Sequence, residues 1–222
     1  MHNLCMPDKR KSCAACCGLM NHSDISRENL TGFLNDGNFR TANYWRYQIE
    51  GSYPEQTTSC RDDFTHICPF QGFIDDGLPG CLVHPQVVGE DQRDMGLFGA
   101  IVCGRYLCPA YEILRHETKA ILIENLDDWY LYTIAIIDPI ATERMIDRLH
   151  EEGLHNGDEP FKQTLDSALA IHAKKLGKRN GNVFCYSREE YAFQYKSSPE
   201  NLKCVSDPFP ESPAGGGDLR QR

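Results

Sequence analysis

The sequence predicts a mainly α protein. Its N-terminal half should be irregular, loop-rich and ordered by metal, with a few short strands at most, and its C-terminal half helical. Three observations predict this. Nine of the eleven cysteines fall within the first 108 of 222 residues. From about Gly51 to Pro109, Gly and Pro recur and hydrophobic periodicity is weak. After Pro109, apolar residues return at helical spacing between recognisable caps. The expected division is a cysteine-cluster region over 1–109, a helical region over 110–204 packed on it, and a Pro/Gly/Ser-rich disordered tail over 205–222.

The elements follow in order. Residues 1–22 form the first cysteine segment. Asp24 is the expected N-cap of a helix that carries Leu30, Phe33 and Leu34 on one face and stops near Gly37. An aromatic-rich segment with Tyr44, Trp45 and Tyr47 should pack on it. Gly51 to Pro109 has few ways to satisfy its backbone through regular structure, and metal ligation would order it by closing loops. Short strands are expected around Ile67 and Leu82-Val83. Asp138-Pro139 reads as an N-cap with Pro at N1, opening a helix that ends near Gly153. Asp158-Glu159-Pro160 opens another, with Phe161, Leu165, Ala168, Leu169, His172 and Leu176 as its apolar stripe and Gly177 as its end. Ser187-x-x-Glu190 has capping-box form, with Tyr186 and Tyr191 as the staple pair. There is no internal repeat.

Composition bounds the function. The chain is long enough to bury a core without staples, so small size does not force a metal on it. A formal net charge of −9 makes nucleic acid a poor partner. The basic run Lys9-Arg10-Lys11 is too short to reverse that, although it could hold neighbouring thiols as thiolates. The N-terminus lacks an apolar signal-peptide core, and the most apolar stretch, Trp129 to Ile137, is too short for a membrane span. A cytoplasmic location is expected. In a reducing compartment, clustered cysteines more often bind metal or do redox chemistry than form disulfides.

Cys13-x2-Cys16 has ligand spacing, because two intervening residues let a tight turn bring both sulfurs to one metal. The βαβ context of a thioredoxin-like dithiol is absent. Adjacent Cys16 and Cys17 cannot easily share a tetrahedral ion. Either Cys17 serves a second metal or a cluster iron, or one of the pair packs as a small apolar side chain. Cys68-Pro69, Gly80-Cys81 and Cys103-x4-Cys108-Pro109 continue the set, and the last resembles fragments of ferredoxin patterns. Gly80 and Gly104 either admit close backbone approach to a metal or serve turns. Cys60 would bring the ligands to eight, enough for two four-cysteine sites, or is an exposed thiol. Cys5 is expected to be spare, Cys185 to be core and Cys204 a bystander. His84, three after Cys81, is the best imidazole candidate, yet His84-Pro85 also reads as a turn. His66 lies two before Cys68. His150 and His155 need not share a face, and His172 reads as a core histidine.

The ordered set CAACCG, CPF, GCLVHP and CGRYLC resembles the zinc- or iron-chelating cysteine-cluster proteins of bacteria, the YkgJ-like group. The resemblance covers about Cys13 to Cys108, half the chain. It implies metal binding through Cys13, Cys16, Cys17, Cys68, Cys81, Cys103 and Cys108, with zinc or an iron–sulfur cluster as cofactor. It gives no support to Cys5, Cys185 or Cys204. The family often has an Arg-Pro pair shortly before a late cysteine, whereas here Arg93 stands ten before Cys103 without a proline. Flagellin lysine methylases look distantly similar in their cysteine clusters, which adds an iron–sulfur-dependent enzyme to the expectations. A structural zinc module for partner binding is the third. No Gly-rich dinucleotide loop, P-loop or Ser elbow is present. Asp75-Asp76 and Asp127-Asp128 read as a turn and a helix start rather than as catalytic carboxylates.

Overall fold

The nine residues Trp129–Ile137 form an α-helix in which every side chain is buried. A helix apolar all round has no solvent face, so it must run through the interior. In the computed structural model, which describes residues 3–50, 67–75, 77–96 and 99–178, this helix is α7, the seventh of nine α-helices among the described residues. Asp128 caps it by accepting the Leu131 N–H at 2.8 Å. The protein is mainly α, with one two-stranded sheet among those residues. None of the described helices is long and apolar enough to cross a membrane.

The other two long C-terminal helices wrap α7. Helix α8 (Pro139–Glu151) begins as expected, with Asp138 accepting the Ala141 N–H at 3.1 Å and Pro139 at N1. Helix α9 (Glu159–Gly177) buries Phe161, Leu165, Ala168, Leu169, His172 and Leu176, the predicted stripe. Both pack on α7 and on each other. His172 is a core histidine, fully buried with Nε2 3.2 Å from Asp138 Oδ2. Helix α6 (His116–Asn125) precedes α7 and adds Ile121 and Leu122 to the same core.

The first helix differs from expectation at its start. Helix α1 (Arg27–Asn35) is capped by Ser26, whose hydroxyl accepts the Asn29 N–H at 3.3 Å, and not by Asp24. Asp24 instead accepts the Ser26 N–H at 2.8 Å and sets the turn before the cap. Leu30, Phe33 and Leu34 are its buried face. The helix stops at Asn35, near Gly37 as expected, and Gly37 opens the next, α2 (Gly37–Glu50). The reason is steric. A Cβ at Gly37 would lie 2.5 Å from the Gln71 carbonyl oxygen and 2.6 Å from Gly72 Cα, so only glycine lets α2 start against the sheet. Tyr44 on α2 packs against Phe70, ring centroids 5.1 Å apart.

Strands β1 (Gln71–Asp75) and β2 (Leu78–Cys81) form an antiparallel hairpin with Gln71 opposite Cys81. They lie a few residues inside the expected positions at Ile67 and Leu82-Val83. The turn at Gly77, with φ +70°, sets where the chain reverses, and the ladder grows from it. Beyond the hairpin come α3 (Pro85–Val88), a 3-10 turn at Arg93–Met95, α4 (Gly99–Arg105) and α5 (Ala110–Ile113). Cys60, His66, Cys185, Cys204, the Ser187-x-x-Glu190 capping box and the tail lie outside the described residues.

Candidate metal centre

The N-terminal segment is clasped onto the core by two tyrosines. Tyr132 on α7 donates its O–H to the Leu4 carbonyl at 2.9 Å, and the Leu4 N–H donates to Tyr111 Oη at 2.9 Å. Leu4 itself is buried. From there the chain loops back, and the Cys13 N–H donates to the Cys5 carbonyl at 2.8 Å. Asp8 holds the loop by accepting the Arg10 and Lys11 N–H groups. A 3-10 turn, Ala15–Cys17, follows and ends at Gly18 in the left-handed region, φ 79°. The turn packs on α7, and Cys13 and Cys16 lie against the main core.

The hairpin brings the next two thiols. The Cys68 N–H donates to the Cys17 carbonyl at 2.9 Å. Gln71, with no exposed surface, donates both amide protons: to the Cys17 carbonyl at 2.7 Å and the Cys68 carbonyl at 2.9 Å. An amide carries two donors, and two facing carbonyl oxygens use both. Since the Gln71 backbone pairs with Cys81 across the hairpin, this one residue links Cys17, Cys68 and Cys81. Arg40 braces the same region from α2, donating to the Gln71 carbonyl at 2.8 Å and to the Phe33 carbonyl. Ser12 donates to the Pro79 carbonyl and ties the first loop to β2. Cys103 comes from α4, and Cys108 from the turn before α5, where its carbonyl accepts the Tyr111 N–H at 2.9 Å.

The eight described cysteines are all thiols outside any disulfide. Seven of them, all but Cys108, line one cavity of ≈ 790 Å³. Burial pushes most of these thiols up: Cys68 and Cys108 to about 12, Cys103 to about 11, and Cys13, Cys17 and Cys81 in the same direction. Neighbouring thiols add to the shift for all of these but Cys81. Cys16 also rises, first because it donates a hydrogen bond to Cys5 and then because it is buried; Cys5 falls for the reciprocal reason. A site of this kind opposes bare thiolates and favours anything that neutralises several at once.

Six of the seven sequence-predicted ligands therefore meet at one cavity, and Cys108 sits within electrostatic reach of Cys13 and Cys16. Cys5, expected to be spare, stands among them. The clue in the sequence was too weak to find it: a lone thiol eight residues before Cys13, placed only by its hydrogen bonds to the Cys13 loop and Tyr111. Its sulfur is 3.6 Å from Tyr111 Oη. His84 lines the cavity too, and its Nδ1 accepts the Gln86 N–H at 3.2 Å as the N-cap of α3. Neither glycine singled out beside a cysteine faces a sulfur. A Cβ at Gly80 would strike the Ile74 side chain, and one at Gly104 would meet the Arg93 guanidinium at 3.5 Å. Of the basic run, Lys9 lines the cavity and the other two are spent elsewhere. Lys11 is buried and pairs with Asp8 at 2.6 Å, and Arg10 pairs with Asp127 at 2.9 Å. Arg93 supplies the nearer cation instead, acting on Cys81 and Cys103. Asp127 and Asp128 bind Lys162 and Arg27 in turn, as structural groups.

Among the described residues, no three His, Cys, Asp or Glu side chains close on a single point as ligands of one ion do. No protein-family model matches the chain, and neither a curated protein nor a solved structure matches it.

Proposed function

We propose that this protein binds zinc or an iron–sulfur cluster through its clustered cysteine thiolates, in the reducing environment of the cytoplasm. One observation carries the proposal. Thiols from the N-terminal loop, the 3-10 turn, the hairpin and α4 line one cavity, although up to 98 residues separate them in sequence. Soft thiolate donors suit zinc and iron–sulfur clusters over hard cations. The thiols stand apart, so binding draws them inward by rotation about Cα–Cβ and displaces their protons to solvent, as expected when site formation is coupled to ordering. The similarity of the cysteine order to the YkgJ-like group points the same way.

A second reading, an iron–sulfur-dependent enzyme, draws on the size of the cavity. At ≈ 790 Å³ it has the dimensions of a small-molecule site. Arg93, Tyr106 and Lys9 line it beside apolar Phe70 and Val83.

The test is metal and acid-labile sulfide content, with a visible spectrum, on untagged protein purified without air. Stoichiometric zinc in a colourless sample supports a structural or metal-handling role. Iron with matching sulfide supports a cluster and the enzyme reading. A folded protein that takes up neither metal refutes metal binding.

A further inference from the structure

The cysteines fall into two packing groups, and this goes beyond a single cluster. Cys13, Cys16 and Cys108 pack on the main core around α7. Cys17 and Cys81 pack instead with Cys68 on a separate small core formed by Phe70 and Val83. The boundary runs between two adjacent residues. Cys16 and Cys17 lie in a 3-10 turn, where successive side chains point about 120° apart. They therefore face different cores.

Cys5 and Cys103 complete the two groups. Cys5 is tied to Cys13 by the 2.8 Å backbone hydrogen bond and shares Tyr111 with Cys108. It also hydrogen-bonds to Cys16. Cys103 lies on the other side, with Cys81 and Cys68 as its thiol neighbours and Arg93 beside it. Cys17 interacts with Cys68, Cys81 and Cys103 before Cys13. Each group holds four sulfurs drawn from at least two separate segments, the number a closed zinc site or a cubane cluster uses.

We infer that the protein carries two separate four-thiolate metal centres: Cys5, Cys13, Cys16 and Cys108 hold one, and Cys17, Cys68, Cys81 and Cys103 hold the other. The inference rests on the metal-binding proposal above and refines it. The peptide bond between Cys16 and Cys17 then links the centres directly. Each centre takes either Zn²⁺ or an iron–sulfur cluster, since four thiolates serve both. The second has Arg93 acting on Cys81 and Cys103, so the two should differ in metal affinity.

Metal analysis on the full chain, loaded separately with Zn²⁺ and with iron plus sulfide, tests the division and identifies the metal. Wild-type protein should hold two centres. Cys5→Ser and Cys68→Ser should each lose half the metal. Cys5→Ser/Cys108→Ser should lose no more than half, whereas Cys5→Ser/Cys68→Ser should lose all of it. Thiol alkylation followed by mass spectrometry needs no variant: metal should protect Cys5 as fully as Cys13. Wild-type protein with a single centre overturns the division and leaves metal binding standing. So does a Cys5 that stays reactive after loading, or full metal retention by Cys5→Ser. Wild-type protein that takes up no metal overturns both.

Discussion

Gln71 offers the sharpest test of how the fold holds the cysteine segments. Its side chain is fully buried and donates to two carbonyls, those of Cys17 and Cys68. Replacing it with Leu keeps the volume and removes both donors. The Cys17 carbonyl keeps its other partner, the Cys68 N–H, so its loss is about 1 kcal/mol. The Cys68 carbonyl is left buried without that donor, at about 1–3 kcal/mol. The sum, about 2–4 kcal/mol, is partly offset by removing Gln71 Oε1, which is buried without a partner among the described residues; the net of roughly 1–2 kcal/mol lowers the melting temperature by about 2–8 °C in a protein of this size. Gln71→Glu places a carboxylate against the same two oxygens. It can donate only when protonated, so its pKa rises and the variant should be less stable at pH 8 than at pH 5.5, relative to wild type. One O–H cannot serve two carbonyls, so recovery at low pH stays incomplete. The assay is thermal unfolding by circular dichroism at matched metal content. Gln163→Leu, on the exposed face of α9, is the control and should stay within about 0.5 kcal/mol. A Gln71→Leu protein melting within about 1 °C of wild type would refute the bracing role.

Two further outcomes follow from buried groups near the site. Tyr132→Phe removes the O–H that holds the Leu4 carbonyl in the core. It should cost about 1–2 kcal/mol and speed alkylation of Cys5 more than that of Cys68; equal acceleration of both thiols would show general loosening instead. His22 is held at about 4, below its ordinary 6.5, by burial and by Arg40, with Asp24 opposing. Above pH 6.5 its imidazole is neutral folded and unfolded, and it adds no pH dependence. As pH falls below 6.5, the unfolded chain gains a proton that the folded one refuses, and stability drops by about 2 kcal/mol at pH 5 and about 3 kcal/mol below pH 4. Urea midpoints for wild type and His22→Gln at pH 7 and pH 5 check this, and an unchanged pH slope in the variant would remove His22 as the cause.

Local rules sufficed wherever a pattern was complete within one turn or one helix. Asp138-Pro139 and the 161–176 stripe were legible because capping and 3.6-residue periodicity depend only on near neighbours. The helix before Gly37 and its stop were legible too, but its N-cap and the role of Gly37 in the next helix were not. Gly37 is a good terminator in isolation, and only the approach of Gln71 and Gly72 makes it the start of α2. The same limit governs the thiols. Spacing pointed to Cys13 and Cys16 as a pair and flagged Cys16-Cys17 as unable to share one ion. It could not say which core each sulfur faces, or that a spare-looking Cys5 lies beside Cys16, or that His84 spends its Nδ1 on a helix cap. Apart from the local His84 cap, those facts come from hydrogen bonds and packing between residues about ten to more than a hundred positions apart. The sequence alone therefore determined the helical class, the Asp138-Pro139 cap and the 161–176 stripe. Tertiary structure decided the grouping of the thiols, because hydrogen bonds between the side chains of Tyr132, Tyr111 and Gln71 and distant backbone groups place segments that no local pattern connects.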